Sequence, residues 1–195
     1  MAEVELPNPE ELKEIIHDNF SKRVALVTAI FAVMLAITSL GGGNATKEMM
    51  LSQQQASDQW AFYQSKAMRE HMYKIQKMGY DATLVERGDK MSKAAKESYE
   101  KLLNAAGDEE SRYKSEKSDI EKKAKDLEAT RDLNMAKDPY FDYSEVLLQI
   151  AIVLSSISIL AGSRAVFKVS LVAAIAGAAF MVNGYLLLFR IPFFH

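Results

Sequence analysis

The sequence has no cysteine and little net charge. Without cysteine the chain cannot form disulfides, thiolate metal sites or a cysteine nucleophile. Its 24 basic and 26 acidic residues nearly balance, which leaves a net charge of −2. This balance excludes a global basic surface for nucleic acid, so we expect no nucleic-acid partner.

Three stretches of the chain contain no charged residue at all. They cover residues 24–40, 146–162 and 169–189. A helix that crosses a bilayer needs about 20 mostly apolar residues, with a lower limit near 17. The rest of the chain lacks apolar faces wide enough to bury three such helices in a soluble core. The stretches therefore predict three transmembrane helices, with the lipid bilayer as their partner.

The charged residues concentrate between the first two apolar stretches, where 18 of the 24 bases lie. This distribution predicts an all-α integral membrane fold with three transmembrane helices. A long antiparallel, coiled-coil-like helical hairpin is inserted between the first two. The predicted segments are an amphipathic interfacial helix (1–23), transmembrane helix 1 with a glycine-rich exit (24–43), the extramembrane hairpin (44–142), transmembrane helix 2 (143–162), a short basic loop (163–168), transmembrane helix 3 (169–190) and an aromatic C-terminal tail (191–195).

Local signals mark the first helix and its end. Asn8 and Pro9 predict a helix start, with Asn8 as the N-cap and Pro9 in the first helical position. Residues 41–43 are all glycine, which predicts a helix break at the membrane surface. Apolar residues at helical spacing predict that the N-terminal helix lies on the membrane surface or docks on a partner: Leu12, Ile15, Ile16 and Phe20.

The hairpin carries two apolar repeats at the spacing of paired helices. Proline and glycine are absent from residues 46–78, which predicts an uninterrupted first arm. Its seam, at 4-3-4 spacing, is formed by Ala56, Trp60, Tyr63 and Ala67, and a second strip by Met68, Met72 and Ile75. The second arm repeats every seven residues at Tyr99, Ala106, Tyr113, Ile120 and Leu127. The candidate interface residues are Trp60, Tyr63, Gln64, Lys66, Tyr99 and Tyr113.

Turn signals predict where the hairpin reverses. Residues 79–81 and 87–89 contain Gly-Tyr-Asp and Arg-Gly-Asp, which predicts a fold-back within 79–89. The second arm is then the longer one, and residues 104–108, with Gly107, predict a kink or a helix end. A disordered, charged second arm is the alternative.

Polar and small residues inside the apolar stretches are the candidates for contacts within the membrane. The predicted polar layer consists of Thr38, Ser39, Gln149 and Asn183. It predicts hydrogen bonds between helices, or alternatively the lining of a pore or substrate path. Small residues at four-residue spacing predict close helix packing, within one bundle or between protomers: Ala173, Gly177, Ala174 and Ala178, continued by Gly184.

Signals for chemistry are weak. The histidines, His17, His71 and His195, lie in different segments and lack metal-ligand spacing. No catalytic or nucleotide-binding motif is present in the sequence. We therefore expect no enzymatic activity, catalytic residue, cofactor, metal site or small-molecule substrate.

The distribution of bases near the apolar stretches predicts the topology. Lys22 and Arg23 abut the first stretch, and the short connection 163–168 carries two further bases. Short loops rich in Lys and Arg stay on the cytoplasmic side. The N-terminus is therefore predicted to be cytoplasmic, and the hairpin periplasmic or external.

The arrangement of one apolar stretch, a helix bearing Ser57-Asp58-Gln59-Trp60-Ala61-Phe62-Tyr63-Gln64-Ser65-Lys66, and two C-terminal stretches resembles a known family. It is similar over nearly the whole chain to small bacterial membrane proteins catalogued only as a domain of unknown function. The resemblance implies a bacterial inner-membrane protein. It assigns no activity and no catalytic residue.

These patterns indicate a non-enzymatic multi-pass membrane protein. It is expected to self-assemble as a homo-oligomer, or to scaffold a partner in a membrane complex, through its hairpin. One alternative is a subunit of an oligomeric channel or transporter that uses the polar layer. Another is an accessory or sensor subunit of a larger membrane complex.

The topology is tested by a single cysteine in the second arm. Because the chain has no cysteine of its own, Ser111→Cys supplies the only thiol. A membrane-impermeant thiol reagent should label it in intact cells if the hairpin is external. Protection in intact cells, with normal labelling after lysis, would reverse the orientation.

Overall fold

The computed structural model of the chain is helical throughout its regular structure. It describes the backbone of residues 9–190 and the side chains of residues 18–190. Helix α1 (Pro9–Arg87) leads through a short 3₁₀ helix (Gly88–Lys90) into helix α2 (Lys93–Leu160), which is followed by helix α3 (Arg164–Leu186). No strand occurs between residues 9 and 190. The predicted all-α class is confirmed.

Several sequence predictions lie outside the described residues. They concern the Asn8 cap, the side chains of Leu12, Ile15, Ile16 and His17, and the tail 191–195 with His195. Helix α1 begins at Pro9, as predicted, and continues into the first apolar stretch. Residues 9–23 are therefore part of one long helix and not a separate interfacial helix.

The described chain forms two compact units. The bundle unit contains the residues up to Glu48 and those from Leu133 onward, and the hairpin unit contains Met49–Asp132. Helices α1 and α2 each contribute one segment to both units. We describe each unit separately.

Three helical stretches, one in each of α1, α2 and α3, are long and apolar enough to cross a membrane. Within the most apolar window of each, only 22%, 28% and 17% is buried inside the protein. The apolar side chains therefore point mostly outward. A soluble helical core of this composition would instead bury them.

The core of the bundle unit is small and draws on all three helices. Phe31 from α1, Leu148 and Ala151 from α2 and Ala174 from α3 form its buried cluster. Residues from the same three helices pack around it, partly buried: Val27, Met34, Leu35, Ile152 and Ala173. The contact of one phenyl ring with two alanines brings the helix axes close together.

Helix α1 runs through the three glycines without a break. A Cβ atom at Gly41 would lie 2.6 Å from Phe141 Cε1 and 2.6 Å from Tyr185 Oη. A Cβ atom at Gly42 would lie 3.1 Å from Phe141 Cβ. The glycines therefore make room for aromatic rings from α2 and α3, and this packing offsets the loss of about 1 kcal/mol of helix propensity per glycine. The predicted break at 41–43 is wrong.

The turn between α2 and α3 is tighter than the predicted loop at 163–168. Gly162 adopts the left-handed conformation, with φ of 60°. Gly162 N donates to Ile159 O at 3.2 Å, and Ser163 N donates to Ser158 O at 3.1 Å. These two bonds form the Schellman arrangement that ends a helix at glycine. Most of the predicted loop is therefore the first turn of α3, which ends at Leu186 and not at 190.

Helix α3 ends at a left-handed residue, Leu187, whose N–H donates to Asn183 O at 2.7 Å. Asn183 also binds the chain beyond the helix. Its Nδ2 donates to Phe189 O at 2.8 Å, and Phe189 N donates to its Oδ1 at 2.9 Å. Asn183 therefore closes the C-terminal end of α3.

The two arms of the hairpin unit are antiparallel. Trp60 contacts Glu128, Lys66 contacts Glu116, and Lys77 contacts Glu110. As the residue numbers rise along α1, those of the partners fall along α2. Three residues of the predicted seam, Ala56, Ala106 and Tyr113, are buried.

The chain turns from the first arm into the second at residues 88–92, after the first of the two predicted turns. Residues 79–81 stay helical because Tyr80 packs edge-on against Tyr99, with ring centroids 6.2 Å apart. Helix α2 then starts with Ser92 as its N-cap, where Ala95 N donates to Ser92 Oγ at 3.2 Å. The predicted turn at 79–81 is wrong, whereas the signal at Gly88 marks the true reversal.

The later turn also removes the predicted mismatch between the arms. Within the hairpin unit the arms are residues 49–87 and 93–132, which are nearly equal in length. Residues 104–108 are helical, and Gly107 faces the aliphatic part of Lys77. The predicted kink or helix end at 104–108 and the alternative of a disordered second arm are therefore both wrong.

The glycine packing is tested by two neighbouring substitutions. Gly41→Ala should destabilise the bundle unit by about 1–3 kcal/mol, because the added methyl group overlaps Phe141 and Tyr185. Thermal unfolding of the detergent-solubilised chain, followed by circular dichroism, measures the change.

Gly43→Ala is the matched control. A Cβ atom at Gly43 has nothing within 4 Å, so this variant should be neutral or up to about 1 kcal/mol more stable. Equal destabilisation by both variants would contradict the packing role of Gly41.

Candidate functional site

Tyr113 is the centre of an aromatic and basic cluster between the arms of the hairpin unit. Its side chain is 6% exposed, and its ring stacks on Tyr73 with centroids 5.6 Å apart. Arg69 Nη1 donates to Tyr113 Oη at 3.4 Å, and Arg112 Nη2 donates at 3.0 Å. The hydrogen bonds from Arg69 and Arg112 lower the pKa of the Tyr113 phenol, because they favour the phenolate.

Ion pairs join the arms on both sides of this cluster. Lys66 Nζ lies 2.6 Å from Glu116 Oε2, Lys117 binds Glu70, and Lys77 Nζ lies 3.0 Å from Glu110 Oε2. Charge pairs between the arms therefore add to the apolar seam that the repeats predicted.

The stability that these ion pairs give the hairpin depends on pH at both extremes: one pair is weakened by acid and another by base. The hydrogen bond from Lys66 lowers the pKa of Glu116, so its stabilising contribution is lost as the pH falls through that lowered value. The hydrogen bond to Glu70 raises the pKa of Lys117, so its contribution is lost as the pH rises through that raised value. Arm pairing is therefore strongest between these limits.

The aromatic candidates Trp60 and Tyr99 also contact the opposite arm. Trp60 Nε1 donates to Glu128 Oε1 at 2.9 Å. Its ring packs edge-on against Tyr63, with centroids 5.3 Å apart, and Lys117 Nζ lies 5.7 Å from the centre of the Tyr63 ring. Tyr99 packs against Tyr80. Of the predicted interface residues, only Gln64 is exposed; the others take part in the pairing of the arms.

The second strip of the first arm remains on the surface. Met68, Met72 and Ile75 are 69%, 54% and 64% exposed. They lie on the face of α1 opposite the seam. We call these three residues the outer strip. Phe62, six residues before Met68, is also exposed, at 58%.

The structure does not assemble the predicted polar layer of the bundle unit. Thr38 is fully buried and lies 3.3 Å from Ser144 Oγ, which donates to Gly177 O at 2.8 Å. Ser39 and Gln149 have exposed side chains. Asn183 binds the backbone of Phe189, as described above. One observed polar contact between the helices runs through Ser144, which the sequence analysis missed.

A second missed contact links α2 and α3. Ser155 Oγ donates to Ser170 Oγ at 3.1 Å, and Ser170 Oγ donates to Phe167 O at 2.8 Å. Both serines are fully buried. Both lie on the helix faces that form the core. The 3.6-residue period of those faces was therefore the sequence signal that could have indicated their burial.

The small residues of α3 pack inside the bundle unit. Ala174, Gly177 and Gly184 are buried, and Ala173 and Ala178 are partly buried. A Cβ atom at Gly177 would lie 3.0 Å from Leu148 Cγ, and one at Gly184 would lie 3.0 Å from Phe141 Cε1. This face therefore serves contacts between α2 and α3 of one chain.

Metal-binding geometry is not found among residues 18–190, which contain no group of three His, Cys, Asp or Glu side chains able to hold an ion. His71 is exposed. The best-defined polar arrangement of the hairpin unit is the charged seam around Tyr113, and its best-defined free apolar surface is the outer strip. Both are suited to contacts between helices.

The fold and these surfaces define a class of protein: all-helical chains with three helices able to cross a membrane and a pair of charged antiparallel arms. Residues 20–187 match the family model of the domain of unknown function DUF4337. The chain belongs to this family. No curated protein and no solved structure gives a significant match.

The ionisation of Tyr113 tests the geometry of the cluster. Tyr113 should form its phenolate at a lower pH than an ordinary tyrosine, because Arg69 and Arg112 donate to its oxygen. Its own contribution to the free energy of unfolding is present above the ordinary tyrosine pKa and is lost as the pH falls through the lowered value. An ultraviolet pH titration of the phenolate band measures this step.

Tyr113→Phe should remove the early step, whereas Tyr143→Phe, in the bundle unit, should leave it in place. An early step that persists in Tyr113→Phe would show that another tyrosine produces it.

Proposed function

We propose that this chain is a non-enzymatic, multi-pass membrane protein that self-associates through the outer strip of its hairpin unit. The observation that carries the proposal is the exposure of Met68, Met72 and Ile75 in an arm whose other face is already paired. The bacterial inner membrane is the proposed location, in line with the resemblance of residues 57–66 described above.

The membrane part of the proposal is supported by the surface of the bundle unit. Large aliphatic side chains on all three helices are strongly exposed, including Leu26, Ile150 and Val172 at 68%, 45% and 68%. A soluble monomer rarely exposes a continuous apolar surface of this kind. Lipid is the environment that such a surface requires.

The assembly part is supported by the different surroundings of the two faces of the first arm: one contacts the second arm, and the other is exposed. Trp60, Tyr63 and Lys66 hold the second arm of the same chain, so they are occupied. Met68, Met72 and Ile75 follow one another at steps of four and three residues, the spacing of a helix–helix seam. A contact between copies would therefore use the outer strip, and it would not use the aromatic residues that the sequence analysis favoured.

A second copy of the chain fits the charges beside the outer strip. The residues beside the strip include Gln64, His71 and Gln76, with the charged Arg69 and Lys74 at its edges. The guanidinium of Arg69 points toward Tyr113 of the seam, and Lys74 lines a pocket with residues of the second arm. Two identical strips can then meet with little repulsion between like charges, which would otherwise oppose a homotypic contact.

Introducing a charge into the outer strip tests the proposal. Met72→Lys should weaken self-association at least tenfold, because a lysine in the contact would be desolvated without a partner. The molar mass of the protein in mild detergent, determined by light scattering, should fall from that of an oligomer to that of one chain.

Ser115→Lys provides the matched control. Ser115 is exposed on the second arm, away from the outer strip, so its substitution should leave the oligomer intact. A wild-type protein that is monomeric across the accessible concentration range would refute the proposal. Equal effects of the two lysines would assign the contact to another surface.

A further inference from the structure

We propose that the bundle unit binds the headgroup of an anionic phospholipid in a basic cleft between the beginning of α3 and the adjacent part of α1. The cleft has a volume of about 530 Å³. Arg23 from α1 and Arg164 and Lys168 from α3 line it, together with Asn19. The inference is independent of self-association, because the outer strip lies in the other unit.

The two helices contribute to the cleft with the same pattern. Asn19 and Arg23 are four residues apart on α1, and Arg164 and Lys168 are four residues apart on α3, so each pair lies on one helix face. Phe20 and Phe167 meet edge-on between them, with ring centroids 6.0 Å apart. The aromatic contact holds the basic residues of the two helices around one space.

The bases of the cleft have no acidic partner among the side chains that the structure describes. No ion pair joins Arg23, Arg164 or Lys168 to any carboxylate whose side chain the structure describes. By contrast, Lys22, the neighbour of Arg23, is paired with Asp18 at 2.6 Å and does not line the cleft. The three bases of the cleft therefore concentrate positive charge that is not neutralised by these carboxylates.

The N-terminus of α3 adds to the positive electrostatic potential of the cleft. Ser163 precedes the helix and makes no side-chain capping bond. The positive end of the helix dipole therefore lies next to Arg164, in the first turn. Phosphate groups are favoured at such a helix terminus.

The apolar side of the cleft favours a lipid over free phosphate. Val24 and Leu171 line the cleft beside the phenyl rings. Leu171 is 40% exposed, and its neighbour Val172 is 68% exposed on the apolar surface of α3. The site thus combines bases at the end of an uncharged helix stretch with an apolar wall that can contact an acyl chain. Basic pockets of this kind between membrane helices bind anionic headgroups.

Competition between lipids tests the site in the full chain. The protein is solubilised in mild detergent with equal amounts of phosphatidylglycerol and phosphatidylcholine, and retained lipids are counted by native mass spectrometry. The wild type should retain phosphatidylglycerol preferentially. The triple variant Arg23→Gln, Arg164→Gln, Lys168→Gln should lose this preference, with a loss of affinity of about fivefold for each base removed.

Lys22→Gln is the matched control, since it removes a base one residue from Arg23 that is outside the cleft. It should retain the lipid preference of the wild type. An unchanged preference in the triple variant, or an equal loss in Lys22→Gln, would overturn the proposal.

A measurement on the wild type alone distinguishes lipid from free phosphate and does not depend on the folding of variants. Phosphatidylglycerol should raise the thermal unfolding midpoint, and phosphatidylcholine and inorganic phosphate should not. Displacement of the bound lipid by inorganic phosphate at a similar concentration would make this a simple phosphate site and overturn the assignment to a lipid.

Discussion

The bundle unit depends on the close approach of three helices around one phenyl ring. Phe141 of α2 is 2% exposed, and it faces Gly41 and Gly42 of α1 and Gly184 of α3. Tyr185 Oη donates to Ile37 O at 3.0 Å and closes the same contact from α3 to α1. Most of the apolar surface of these helices stays exposed, so tight packing and hydrogen bonds of this kind hold the helices together.

The helices were largely predictable from the sequence, whereas the places where they end were not. Uncharged stretches and the absence of proline and glycine identify long helices from local information. A glycine is ambiguous, because it suits both a turn and a close contact. Gly41 makes room for aromatic rings, Gly79 is an exposed helical residue, and Gly162 forms a left-handed turn. Only the tertiary neighbours distinguish these uses.

The site was predictable as a set of positions but not as a set of partners. The heptad repeat placed Tyr113 at the seam, because periodicity reports the face of a helix, and Lys66 was predicted as an interface residue. The pairing with Arg69 and Glu116 depends on the register of the arms, which follows from the position of the turn. The apolar stretches predicted a polar layer from the amides of Gln149 and Asn183, yet the buried contact is made by Ser144, just before the second stretch. A serine on a helix has too weak a signal to reveal its role alone.

The position of the single tryptophan determines where the intrinsic tryptophan fluorescence of the molecule originates. The indole of Trp60 lies 5.3 Å from the Tyr63 ring, and its N–H is held by Glu128 of the opposite arm. All tryptophan emission therefore originates at the junction of the two arms, where separating them exchanges a carboxylate partner for water. Opening of the hairpin should therefore change the tryptophan fluorescence of the unlabelled chain, with no tryptophan signal from the bundle unit.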